Sequence, residues 1–156
     1  MADLKPPRLA GDDRAVLIAL LQYQRDSFVR KVSDVDDMAA SSSPVHSGNS
    51  LLWLTNHMAD AESRWVLQRF AKWPVSVDES DHAATLEEAI ARYQRVWNDV
   101  DAVVAASPSL DARCPDFDGG PEIDLRWILA HLLEETARHA GHADILRELL
   151  DGTVGR

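Results

Sequence analysis

An all-α fold, arranged as a four-helix bundle with long connecting loops, is what this 156-residue sequence predicts. Four stretches carry apolar residues at helical spacing, breaker-rich segments separate them, and no stretch alternates with period two for long enough to suggest a sheet. The length suffices for one domain with a substantial core and hardly for two, so a single domain over residues 1–156 is expected, with 1–11 a flexible N-terminal segment. There is no internal repeat.

The first helix is expected from about Asp12 to Val32, where Val16, Leu17, Leu20, Leu21, Phe28 and Val32 make one apolar face. The segment MAASSSPVHSGN then breaks the periodicity with turn-forming Ser, Pro and Gly. A second helix follows from about Ser50 to Lys72, with Leu51, Leu54, Met58, Ala61 and Trp65 as its stripe and His57 on the stripe's edge. After WPVSVDESDHAA, the capping box Thr85-x-x-Glu88 opens a third helix that continues to about Ala106. SPSLDARCPDFDGGPEI reads as a long loop. Asp124 then caps the fourth helix, and Gly152, just past Leu150, marks its end.

Composition excludes several classes of function. A formal charge of −10 leaves no basic footprint for nucleic acid or an anionic membrane, so small-molecule partners are expected. No apolar run reaches a membrane span and MADLKPPRLAGDD lacks the apolar stretch of a signal peptide, which points to the cytoplasm. A lone cysteine, Cys114, fits a reducing compartment, and no base lies near it in sequence to make it a nucleophile. Three lysines against thirteen arginines, in a chain rich in Ala, Asp and Val, is the usage of a GC-rich genome.

The chemistry concentrates in the fourth helix. His131, Glu135, His139 and His142 recur at intervals of four, four and three, and at about 100° per residue they fall within a stripe roughly 80° wide. Ile128, Leu132, Leu146 and Leu149 share that face, so one helix aims imidazoles and a carboxylate at an apolar interior. An unpaired carboxylate there costs several kcal/mol, which a divalent cation or a tight ion pair must offset. Glu135 and His139, stacked on adjacent turns, can grip one ion; they also read as a charged helix pair, or Glu135 as a rim partner of Arg138. His57 on the second helix adds a third donor, yet reads equally as a core histidine satisfied by a carbonyl.

The segments LLWLTNHMADAESRW and LRWILAHLLEETARHAGHADILRELLDG resemble the second and fourth helices of DinB-like four-helix proteins. They are most similar to the actinobacterial branch that holds mycothiol-dependent maleylpyruvate isomerase and mycothiol S-transferases. Where many DinB-like proteins carry a His-x-x-x-His pair in the fourth helix, this chain has Glu135 first, as that branch does. The resemblance implies a metal site between helices 2 and 4, held by His57, Glu135 and His139. The apolar faces suit a monomer or a dimer, and members of the family it resembles are often dimers.

Around that triad, His142 is expected to complete the coordination or hydrogen-bond a ligand, and His131 reads first as an ordinary partly buried histidine, with orienting Glu135 or lining the pocket as its functional alternative. Trp65, two turns after His57, is the candidate wall for a bound co-substrate, and Arg64 and Arg138 are candidates for a substrate carboxylate, with surface ion pairing as their ordinary alternative. His46 and His82, in polar loops, are left out. Three protein ligands leave a coordination position open, as in catalytic zinc sites; zinc is the expected ion and nickel the alternative. Such a metal activates a low-molecular-weight thiol for attack on a small electrophile, and the resemblance makes mycothiol the expected co-substrate. The competing readings are a metal-dependent hydrolase and a non-catalytic, dimeric metal-binding module.

Overall fold

The computed structural model describes residues 5–114 and 119–154. Among them, four long helices carry the fold: α1 (Asp13–Val32), α3 (Leu51–Glu62, continued by a π-helical stretch over Ser63–Phe70), α4 (Leu86–Ala106) and α5 (Leu125–Asp151). A five-residue helix, α2 (Asp37–Ser41), and a single 3-10 turn (Glu79–Asp81) lie in the connections. Residues 5–12 precede α1 without regular structure, and the remainder of the expected flexible N-terminal segment lies outside the described residues. No described helix is long and apolar enough to cross a membrane.

Each long helix starts where a side-chain oxygen satisfies an otherwise orphaned amide. Asp12 accepts from the Arg14 amide, Ser50 from Trp53, Thr85 from Glu88 and Asp124 from Trp127. Gly152 closes α5 in the left-handed region at φ 76°, which a residue with a Cβ adopts only at a cost.

Three features depart from the expectation. The segment after α1 is not wholly irregular: Asp36 caps α2, and Asp37 reaches across to accept from the Leu86 amide, tying this connection to the start of α4. The helix expected over 50–72 changes pitch after Glu62, and the Ala71 amide donates to the Val66 carbonyl in the i→i+5 pattern. The long loop before α5 contains a two-residue antiparallel ribbon that pairs Arg113 with Asp124 and Cys114 with Ile123, too short to show as alternation; its residues 115–118 lie outside the described residues.

The helices pack α1 on α5, α3 on α4 and α3 on α5. Their apolar faces form two clusters. One is built on Phe28, Leu54, Met58, Tyr93 and Leu146, the other on Leu21, Val66, Val100, Ile128 and Leu132. Between these layers in the heptad order stand three polar side chains with no exposure, Arg25, Glu62 and Thr136. Arg25 follows Leu21 by one turn, Glu62 separates Met58 from Val66, and Thr136 separates Leu132 from Ala140. Arg25 grips Glu62 through two of its three nitrogens (Nε–Oε1 2.8 Å, Nη2–Oε2 2.6 Å), and the Tyr93 hydroxyl donates to Glu62 Oε1 at 3.1 Å. Leu149, expected on the inward stripe of α5, is instead 57 % exposed, because the face drifts round to solvent over the last turns.

Candidate functional site

His57 projects from the second turn of α3, and Glu135 and His139 from adjacent turns of α5, where the two helices pack together. Both imidazoles turn Nε2 toward the same carboxylate oxygen: Glu135 Oε1 lies 3.4 Å from His57 Nε2 and 3.1 Å from His139 Nε2. The three potential ligand atoms all lie within 4.8 Å of one another, and all three residues are half-buried. The triad implied by the resemblance is therefore brought together in space.

The electrostatics of the cluster suit an electron-pair donor set. Burial would raise the Glu135 carboxyl, but hydrogen bonds and charge from His139, His57 and Arg138 outweigh it and hold the group below its ordinary value of 4.5. Burial and the neighbouring His57 push His139 below the usual imidazole value of 6.5, so the ring stays neutral to lower pH than an ordinary histidine and remains able to act as a metal ligand.

Each member of the triad has a neighbour that fixes its orientation. Trp53, one turn before His57, stacks on it with ring centroids 5.0 Å apart and planes 8° from parallel. Arg138 donates to Glu135 Oε2 at 3.0 Å and also to Glu134, so its guanidinium is engaged with two carboxylates on its own helix. His142 places Nδ1 3.3 Å from His139 Nδ1, one ring donating and the other accepting. His142 itself is exposed, not inward-facing, and it approaches His139 from the side opposite the nitrogen that faces Glu135. Beside it, the 45–49 connection and α5 enclose a cleft of about 240 Å³ lined by Val45, Ser47, Asn49, His142, Ile145 and Leu146.

The other expected residues are distributed along the same two helices. His131 makes ring contacts with Trp127 and Trp65, stacking on the former at 5.0 Å and standing edge-on to the latter at 4.9 Å. Trp65 thus joins an aromatic cluster with Trp127 and His131, and the Arg69 guanidinium lies 4.3 Å over its ring. Arg64 is exposed. His82, expected to be solvated, bonds Asp60 at 2.7 Å; Asp60 also holds Arg92, and Asn56 exchanges hydrogen bonds with the Ala83 backbone, so the connection before α4 is pinned to α3.

Sequence reasoning missed one element of this site and one buried pair in the core. Trp53 could have been found, since it precedes His57 by four residues on a helix; the Arg25–Glu62 pair left no signal, because its members lie on different helices 37 residues apart. A family model described as Mycothiol-S-transferase matches residues 16–152. No curated protein and no solved structure matches the chain.

Proposed function

The chain belongs to the mycothiol S-transferase family, in the mycothiol-related part of the DinB-like proteins, and on that premise we propose a metal-dependent thiol transferase with mycothiol as co-substrate. The observation that carries this reading is the convergence of His57 Nε2, Glu135 Oε1 and His139 Nε2 from two helices. Two imidazoles and a carboxylate are a donor set suited to zinc, with nickel as the alternative, and three protein donors leave a fourth position for a substrate. The bundle reading follows with it: a DinB-like four-helix bundle of α1, α3, α4 and α5, its metal site between α3 and α5.

A divalent ion held there would stabilise the thiolate of an incoming thiol near neutral pH. The protein's own residues orient and shelter. Trp53 holds the His57 ring, Arg138 holds Glu135 rather than a substrate carboxylate, and His142 sets which nitrogen of His139 faces the site. Trp65 lines the substrate side, Arg64 offers a charge at the rim, and the cleft with Ser47 and Asn49 suits the body of the thiol. In transfer, the sulfur bonds to the electrophilic carbon, the leaving group departs with its electron pair and the thiol proton passes to water; reversible addition would instead isomerise a double bond.

The hydrolase alternative lacks a base, since Glu135 is occupied within the triad. A closed storage site would need a fourth ligand, and His142 approaches His139 on the wrong side to supply one. A cytoplasmic homodimer that binds neither nucleic acid nor membrane completes the reading.

The test is turnover of a panel of electrophiles with mycothiol, glutathione or no thiol, using metal-loaded and chelated protein. We expect dependence on both the metal and mycothiol. Glu135→Gln should lose most of its metal, whereas Glu135→His should rebind it while impairing transfer, because replacing a carboxylate by a neutral donor leaves the ion a stronger Lewis acid and the thiolate a weaker nucleophile. Equal metal content and rate in Glu135→Gln and the parent would remove Glu135 from the site.

A further inference from the structure

The face shared by α3 and α5 continues past the triad. On one strip stand Trp53, His57, Ala61 and Trp65; on the other, Trp127, His131, Glu135 and His139, each with a step of four residues. The strips run antiparallel, since His57 meets Glu135 and His139 while Trp65 meets Trp127 and His131. In a regular α-helix Trp65 would lie about 80° round the axis from His57. The wider π-helical stretch from Ser63 turns less per residue, about 80°, and brings Trp65 to within roughly 30° of His57. Irregular turns of this kind are frequent at functional sites.

What the turn delivers is a ring cluster with an open side. Trp127 remains 45 % exposed even though His131 stacks on it at 15° from parallel. Trp65 stands at 57° to Trp127 with centroids 5.3 Å apart, so the two indoles form the sides of a wedge. His131 precedes Glu135 by one turn, about 6 Å along α5. The cleft beside His142 lies beyond the triad in the opposite direction.

We propose that Trp65, Trp127 and His131 form the subsite for the electrophile, and that it takes a small, planar, electron-poor arene. This rests on the thiol-transfer reading above. Indole faces carry negative potential, so they stack best on rings depleted of electrons. Arg69 over Trp65 adds positive charge at the edge, which favours nitro or carboxylate oxygens over a cationic substituent. Linear or saturated electrophiles find no ring face to stack on there. The reaction would be displacement on the ring: a C–S bond forms, the carbon–halogen bond breaks, halide leaves with the bonding pair and the thiol proton passes to water.

Binding is tested apart from turnover by calorimetric titration of the metal-loaded full chain with 1,3-dinitrobenzene, which has no leaving group, and with nitrocyclohexane as the non-planar control. We expect measurable binding of the arene alone, weakened about tenfold in Trp127→Ala and largely restored in Trp127→Phe. With mycothiol and 1-chloro-2,4-dinitrobenzene, Trp127→Ala should raise KM with little change in kcat, and lower the kcat/KM preference over iodoacetamide about tenfold. Absence of arene binding, equal affinity in Trp127→Ala, or nitrocyclohexane binding as tightly would overturn the subsite. If no electrophile is turned over with any thiol while arene binding still depends on Trp127, the transfer reading fails and the subsite stands.

Discussion

Replacing Glu62 by glutamine changes one atom in the centre of the protein and leaves the Arg25 guanidinium, which has no exposure, without its bidentate partner. Burial opposes the Arg25 charge, and Glu62, followed by Asp101, restores it so fully that the group is held protonated beyond its ordinary range. Removing one member of a buried ion pair costs about 3–5 kcal/mol. Asp101, 2.8 Å from Nη1 and 41 % exposed, continues to pair with Arg25. Tyr93 retains Thr136 when the carboxylate is lost. The lower end, about 3 kcal/mol, is therefore expected, which for a chain of this size lowers Tm by roughly 6–12 °C. Urea unfolding followed by circular dichroism measures it, with an unchanged m-value as the check that the denatured state is the same. The double replacement Arg25→Met with Glu62→Leu removes both charges and should recover to within about 1 kcal/mol of the parent or exceed it. A Glu62→Gln protein as stable as the parent, or a double variant as unstable as the single one, would refute the assignment of this pair as a paired charge in a dry interior.

The remaining expectations concern the triad and the cysteine. His57→Ala and His139→Ala should each lose most of the metal while His142→Ala retains it at saturating concentration, by elemental analysis after gel filtration; loss in His142→Ala alone would replace His57 as the third ligand. Metal affinity should persist to below the ordinary imidazole value of 6.5, because His139 is held under it, and should fall at lower pH as protons compete for His139 and, lower still, for Glu135, whose carboxyl is also held under its ordinary value. An affinity that rises with acidity would contradict this ligand set. Burial pushes the Cys114 thiol up against the opposing charges of Lys72 and Arg69, and its side chain is 1 % exposed. A disulfide reagent should therefore label it at least tenfold more slowly in the native chain than in denaturant; rapid native labelling would show that the loop around it opens.

The four long helices were legible because each carries its own punctuation: Asp12, Ser50, Thr85 and Asp124 all cap where the patterns begin. The pairing of Glu135 with His139 was legible for the same reason, being a matter of one helix and a step of four. Whatever depends on how helices face one another was not. Arg25 lies in the middle of an apolar face and would be assigned to solvent on its chemistry alone; only Glu62, from a helix 37 residues away, explains its burial. The change of pitch after Glu62 is equally silent, since a π-helical stretch uses the same residue types as an α-helix and differs in how the next turn is packed. Arg138 illustrates the converse, a charge that chemistry offers to a substrate and that its own helix claims first.

His57 and Glu135 are 78 residues apart in sequence, and the segment between them includes all of α4. An ion gripped by both would act as a cross-link across that span, removing on the order of 4 kcal/mol of loop-closure freedom from the unfolded chain. Helix α1 lies outside the closed loop, joined to the rest by its packing on α5 and by the Arg25–Glu62 pair. The chain thus divides into a stretch that metal can fasten, from α3 through α5, and an N-terminal helix that metal cannot, so loss of the ion and detachment of α1 are separate routes by which the same core comes apart.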